Sequence, residues 1–137
     1  MRWNFILRGI EQFSMRKIDV VCGVIYDIHG SVLIAQRADD SHRYKWEFPG
    51  GKRRENETYE QAIRREIVEE LNIDVLPQET IFKHPYEEFD LIFIKCSYNQ
   101  GTIKLNNHLD YRWVRPDILI EYDFLPGDSA FINSYSF

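Results

Sequence analysis

The sequence predicts an α/β domain in which a mixed sheet is sandwiched between helices. Three observations carry this expectation. Residues 19–27 (DVVCGVIYD) and 89–97 (FDLIFIKCS) are nearly continuous apolar runs, the mark of strands buried on both faces. A well-capped helix lies between them, starting at Thr58. A second helical segment closes the chain, so strands precede and follow helices as a layered α/β arrangement requires.

A chain of 137 residues fits one compact domain that needs no disulfide or structural metal. Residues 15–137 are expected to form it, with 1–14 as an N-terminal extension. Met15 is followed by Arg16, Lys17 and the first strand, so either translation begins at Met15 or the first fourteen residues pack as an ordered arm. Their short apolar patch is broken by Arg8, Glu11 and Gln12 and is no convincing signal peptide. No run approaches the roughly 18 apolar residues of a membrane span. Seventeen basic against 22 acidic residues give a net charge of −5, which argues against duplex nucleic acid or an anionic membrane as partner. Cys22 and Cys96 sit in apolar runs as small hydrophobes, and two cysteines make no disulfide framework, which fits a reducing cytoplasm. Nine Phe, eight Tyr and three Trp make the chain aromatic-rich, a composition suited to ring-shaped ligands. A monomer or homodimer is expected.

In chain order, 19–27 and 31–36 read as an antiparallel hairpin around the turn Asp27 to Gly30. Residues 37–45 are a polar loop leading to Trp46-Glu47-Phe48 and a turn at Pro49-Gly50-Gly51. Thr58 and Gln61 form a capping box; Ile63, Ile67 and Leu71 recur as the buried stripe of the helix, and Asn72 is its left-handed terminator. Residues 79–83 and 89–97 are the next strands, Asn99-Gln100-Gly101 turns the chain, and 101–105 and 111–114 read as shorter strands. Pro116 opens a short helix through Ile120, and a last helix runs from Ser129 to about Ser136 with Asp128 as N-cap. His29, His84 and His108 show no metal-ligand spacing and are placed on loops.

The chemistry concentrates at residues 50–73. Glu66, Glu69 and Glu70 stand at i, i+3 and i+4, which brings three carboxylates onto one helix face beside the buried stripe. Each like-charge pair costs a few tenths of a kcal/mol even when exposed, and two of the three sit in the last turn, where the helix dipole favours cations. A solvated face neutralised by Arg64 and Arg65 is the plain explanation of one such Glu; three in this pattern point to a bound cation. Oxygen donors with no paired His or Cys select a hard ion, Mg²⁺ or Mn²⁺, which often bridges to substrate phosphates. The Gly50-Gly51 pair permits a tight turn and offers a carbonyl, while Lys52, Arg53 and Arg54 place positive charge where phosphate oxygens would lie, or form a solvated loop. Glu57 is close enough to bond helix N-terminal amides or to pair with Arg65.

Gly51, five residues, Glu57, seven residues and then Arg65-Glu66-Ile67-Val68-Glu69-Glu70-Leu71-Asn72-Ile73 resembles the Nudix box, G-x5-E-x7-R-E-U-x-E-E-x-G-U. Eight of its nine defining positions are filled; Asn72 stands where the last glycine would be. Ala35-Gln36-Arg37-Ala38, Trp46 to Lys52 and Leu125-Pro126-Gly127-Asp128 resemble the MutT-like branch, which hydrolyses nucleoside triphosphates.

That resemblance implies the Nudix α/β/α sandwich and hydrolysis of an ordinary or oxidised (d)NTP, such as CTP or 8-oxo-dGTP, to nucleoside monophosphate and pyrophosphate. It implies catalytic Arg65, Glu66, Glu69 and Glu70, with Glu66 as first choice to orient or deprotonate the attacking water. Gly50, Glu66, Glu69 and Glu70 would hold Mg²⁺ or Mn²⁺. Arg37, His42, Phe48, Lys52 and Asp128 would bind substrate, with Phe48 stacking on the base and an ionised Asp128 favouring an exocyclic amino group. Many MutT-like proteins carry a further Glu in a late loop; Asn107 holds that place here and takes no proton. Either Asp110 substitutes, or the helix carboxylates suffice, or activity is reduced. A nucleotide sensor without catalysis, and a hydrolase of another nucleoside diphosphate derivative, are the alternatives.

Overall fold

The computed structural model describes residues 17–137; the expectations for residues 1–14 and Met15 lie outside them. Strand β1 (Ile18–Tyr26) is the axis. It runs parallel to β6 (Phe89–Gln100) along its whole length, with Ile18 opposite Phe89 and Tyr26 opposite Ser97. Its other edge is shared: the far end pairs antiparallel with β2 (Val32–Arg37), the near end with β4 (Gly50–Lys52). β2 also pairs with β3 (Trp46–Glu47) and β7 (His108–Val114), and β5 (Asp74–Tyr86) pairs with β6. One parallel pair among antiparallel ones makes the expected mixed sheet.

Alternation along β1 explains the two layers. Val21 and Ile25 enter the core beneath α1 (Tyr59–Leu71) with Ile63, Ile67 and Leu71, while Cys22 and Val24 enter the core on the opposite face with Phe93, Phe124 and Phe131. The latter is closed by a 3₁₀ turn (Pro116–Glu121) and α2 (Pro126–Ser134). Both cysteines are free and buried. Among the described residues no helix is long and apolar enough to cross a membrane.

Helix α1 starts and ends as its sequence dictates. Thr58 N–H donates to Gln61 Oε1 at 2.9 Å and Gln61 N–H to Thr58 Oγ1 at 3.1 Å, closing the capping box. Asn72 is left-handed at φ 61°, and its N–H donates to Val68 O.

Several boundaries differ from expectation. Gly50–Lys52 is a short strand where a turn was expected, because the backbone at Val20 to Cys22 is left unpaired by β2 and takes it as partner. Residues 101–105 form no strand. Lys104 and Asn106 cap α1 instead: Lys104 N–H donates to Leu71 O at 3.0 Å and Asn106 N–H to Glu70 O at 3.1 Å, satisfying carbonyls that lack intrahelical partners. β5 is one long strand that absorbs Pro77 through register shifts, and β7 begins at His108. His84 and His108 are therefore strand residues; of these three histidines, His29 alone lies in a turn. α2 begins at Pro126, whose fixed φ suits the first helical position, so Leu125 is the N-cap and Asp128 lies inside the first turn.

Candidate active site

β4 brings Gly50 and Gly51 against the carboxylate face of α1. Gly50 N–H donates to Glu70 Oε1 at 3.1 Å. Gly51 lies under Glu66 so closely that an added Cβ would sit 2.2 Å from Glu66 Oε1. Arg65 organises the other acids. Its guanidinium forks onto Glu57 through Nε and Nη2, at 2.5 and 2.8 Å, and reaches Glu66 Oε2 at 2.8 Å, Glu69 at 3.3 Å and Lys52 O at 3.1 Å. Arg65 thereby holds the Glu57 carboxyl down to about 2, aided by the Arg54 N–H that Glu57 also accepts. Glu57 thus pairs with Arg65, as one of its two anticipated roles has it, while the amide it accepts from is that of Arg54 in the preceding loop rather than one at the helix N-terminus. Among the described residues no three acidic, imidazole or thiol side chains converge as a closed metal cage: Glu66 and Glu69 turn to Arg65, Glu70 to Gly50.

Glu70 is the acid under strain. Burial first, then the charges of Glu47 and Glu66, push its carboxyl up to about 8, and Gly50 N–H offsets only part of this. A buried carboxylate beside two others is stabilised by a hard divalent cation, and the oxygen donors at this end of α1 fit such an ion.

All five side chains expected to bind substrate, Arg37, His42, Phe48, Lys52 and Asp128, line one cavity of about 420 Å³ between β1, the hairpin joining β5 to β6, and the start of α2. Their roles differ from expectation in two cases. Phe48 is 2% exposed, stacked on Phe124 and packed edge-on against Phe93 and Phe131, so its ring is core. Its backbone N–H donates to Asp128 Oδ1 at 3.1 Å. Asp128 is the buried polar residue of this core, 6% exposed, and burial followed by the charge of Glu47 drives its carboxyl well up, toward the neutral form rather than the ionised one expected.

Glu47 escaped the sequence reasoning. It accepts from Arg37 Nη1 at 3.0 Å and pairs with His108 Nε2 at 2.8 Å, and it borders both the large cavity and a second one of about 180 Å³ that holds Glu70, Asn107 and His108. The only signal was a carboxylate between two aromatics in Trp46-Glu47-Phe48, a place where a strand gains nothing from charge. Asn107 does reach the Glu70 cavity, whereas Asp110 lines neither cavity and is bound by Arg112.

Residues 16–135 match the NUDIX domain. The chain belongs to the NUDIX domain family. Within it, the chain is 30% identical over 126 residues to the CTP pyrophosphohydrolase of Escherichia coli (strain K12), covering 88% of this chain and 93% of that protein. It is 54% identical over 61 residues to an 8-oxo-dGTP diphosphatase of Proteus vulgaris, a match covering 44% of this chain and 54% of that one. The Nudix fold is similar to that in a structural study of MutT from Aliivibrio salmonicida and Vibrio cholerae, at TM-score 0.76 and 28% identity, covering 85% of this chain and 94% of the other. The chain is a Nudix hydrolase of MutT-like type.

Proposed function

We propose that this Nudix domain hydrolyses a nucleoside triphosphate to the monophosphate and pyrophosphate. The observation that carries the reading is the adjacency of two unlike compartments. A charged face, Glu66, Glu69, Glu70 and Gly50, adjoins a mainly apolar cavity whose inner end holds Asp128, and Glu47 with Arg37 stands between them. The first suits phosphates, the second a base. Similarity to a CTP pyrophosphohydrolase and an 8-oxo-dGTP diphosphatase supports that substrate class.

Gly50, Glu66, Glu69 and Glu70 would hold Mg²⁺ or Mn²⁺, which when bound neutralises phosphate charge and acidifies water. Glu66, oriented by Arg65, takes a proton from the water that attacks phosphorus; the phosphoanhydride bond between the α and β phosphates breaks and pyrophosphate leaves with the bonding pair. Lys52 and Arg37 meet the anionic chain at the mouth of the cavity. Asp128 reads the base edge.

The test is pyrophosphate release across a panel of (d)NTPs including CTP and 8-oxo-dGTP, with Mg²⁺ and with Glu66→Gln and Glu69→Gln variants. Turnover that those variants lose supports the proposal. Nucleotide binding with no turnover across the panel makes the protein a sensor, and turnover confined to other nucleoside diphosphate derivatives replaces the substrate class.

A further inference from the structure

One wall of the large cavity is built from side chains that take no part in either core cluster of the described residues. Tyr86 ends β5 and Phe89 begins β6; they are register partners across the two-residue turn Glu87-Glu88, so their side chains stand side by side on one face of the sheet. Both line the cavity and both are partly exposed. Neither belongs to or packs on either core cluster; the ring contacts that tie this part of the sheet to α2 run through Phe82, Phe93 and Phe131 instead.

The pair is also held in place. Glu88 O accepts Ile18 N–H at 2.9 Å, Glu87 O accepts the Lys17 ammonium, and Glu87 is in the left-handed region at φ 53°. Two adjacent aromatic side chains on an anchored turn, facing a cavity that a buried carboxyl also lines, match a planar heteroaromatic ring with a hydrogen-bonding edge. Phe48 does not supply that surface, since its ring is enclosed.

We propose that Tyr86 and Phe89 are the stacking platform for the nucleobase, which lays its face on the hairpin and turns its edge to Asp128. The proposal rests on the nucleotide reading above. Stacking is tolerant of base identity because every base has a π-face. The platform therefore sets affinity for any base, more for the larger purines, and leaves discrimination by edge to Asp128.

Titration calorimetry with GMP, CMP and ribose 5-phosphate, alongside kcat and KM for GTP and CTP, tests this on Tyr86→Ala, Phe89→Ala, Phe89→Leu, Tyr86→Phe and Phe89→Tyr. The alanine variants should weaken GMP binding about five- to hundred-fold and raise KM rather than lower kcat. The two ring-keeping variants should bind as wild type, Phe89→Leu should not, and ribose 5-phosphate should bind all alike. Unchanged GMP binding in alanine variants with wild-type circular dichroism overturns the platform, as does full rescue by leucine. Wild-type binding of GMP with no turnover of any triphosphate sinks the hydrolase reading and leaves the platform standing; no binding of either monophosphate sinks both.

Discussion

Gly50 donates its N–H to Glu70 Oε1 across 3.1 Å, and this one bond joins the glycine strand to the last turn of the acidic helix. It is too little to make Glu70 a comfortable anion. The carboxyl is raised from 4.5 to about 8, chiefly by burial, then by Glu47 and Glu66. Below pH 4.5 folded and unfolded chains both carry the proton; between 4.5 and 8 the unfolded chain releases it first, so stability falls across that window and levels off above it. The loss is about 5 kcal/mol at most. Metal-free protein should therefore lose Tm from pH 5 to 8, and Glu70→Gln should flatten the profile. Mg²⁺ should raise Tm more at pH 8 than at pH 5, because the ion must displace a proton at the lower pH. A Tm that rises over that range in metal-free protein contradicts the account.

Gly51 is set by contact rather than by φ. A Cβ there would lie 2.2 Å from Glu66 Oε1, and Glu66 is the movable partner. Gly51→Ala should displace the carboxylate and cut kcat by about a hundred-fold, in the range of losing one well-placed electrostatic group. Far-ultraviolet circular dichroism should stay unchanged. Activity within threefold of wild type would show that Glu66 works from another position.

Arg65 is a fork and not merely a charge. It binds Glu57 with two nitrogens and turns a third contact to Glu66, so lysine keeps the charge and loses the geometry. Arg65→Lys should lower kcat at least tenfold and lower Tm. Glu57→Gln should do the same more mildly, since it frees Arg65 without removing it. A thermal melt and steady-state assay on the pair decide this; equal activity of Arg65→Lys and wild type would reduce Arg65 to a surface cation.

What the sequence made legible follows from the range of the interactions. The capping box at Thr58, the stripe of Ile63, Ile67 and Leu71, and the left-handed Asn72 are local, and each stands as expected. The five side chains expected to bind substrate also line one cavity. Illegible were matters settled by partners distant in sequence. Residues 101–105 look like a strand, but the open carbonyls of α1 claim the N–H groups of Lys104 and, just beyond, Asn106. Asp128 looks like an N-cap, yet Pro126 starts the helix earlier and the carboxyl turns to Phe48. Glu47 draws its role from Arg37, His108 and Glu70, none of them near it in sequence.

Asn72 replaces a glycine of the family motif at φ 61°, and its side chain donates to Lys104 O at 2.7 Å. Glycine would relieve the backbone and lose that bond, so Asn72→Gly should change stability by less than about 0.5 kcal/mol. Asn72→Ala loses the bond and keeps the strain, and should cost about 1–2 kcal/mol. Urea denaturation of both separates them; a larger loss for glycine than for alanine would mean that the left-handed backbone at this position carries no strain for a side chain.

Asp128 has a structural task in the core and, in the proposed function, a recognition task, and two substitutions separate them. Its Oδ1 accepts Phe48 N–H in the core, so Asp128→Ala strands a buried donor and should cost about 1–3 kcal/mol. Asp128→Asn keeps an acceptor for Phe48 and removes a carboxyl that burial and Glu47 push toward neutrality, so the metal-free protein should be as stable as wild type or more so near pH 8. A neutral carboxyl offers one O–H donor and acceptor capacity, while an amide offers two N–H donors. Asp128→Asn should therefore shift kcat/KM between bases by about tenfold or more, with the phosphate chemistry intact, when CTP, dGTP and 8-oxo-dGTP are compared on both proteins. If preference is identical in the two, Asp128 serves the fold alone, and Glu47, a part-buried carboxylate that also lines the cavity, becomes the residue to substitute.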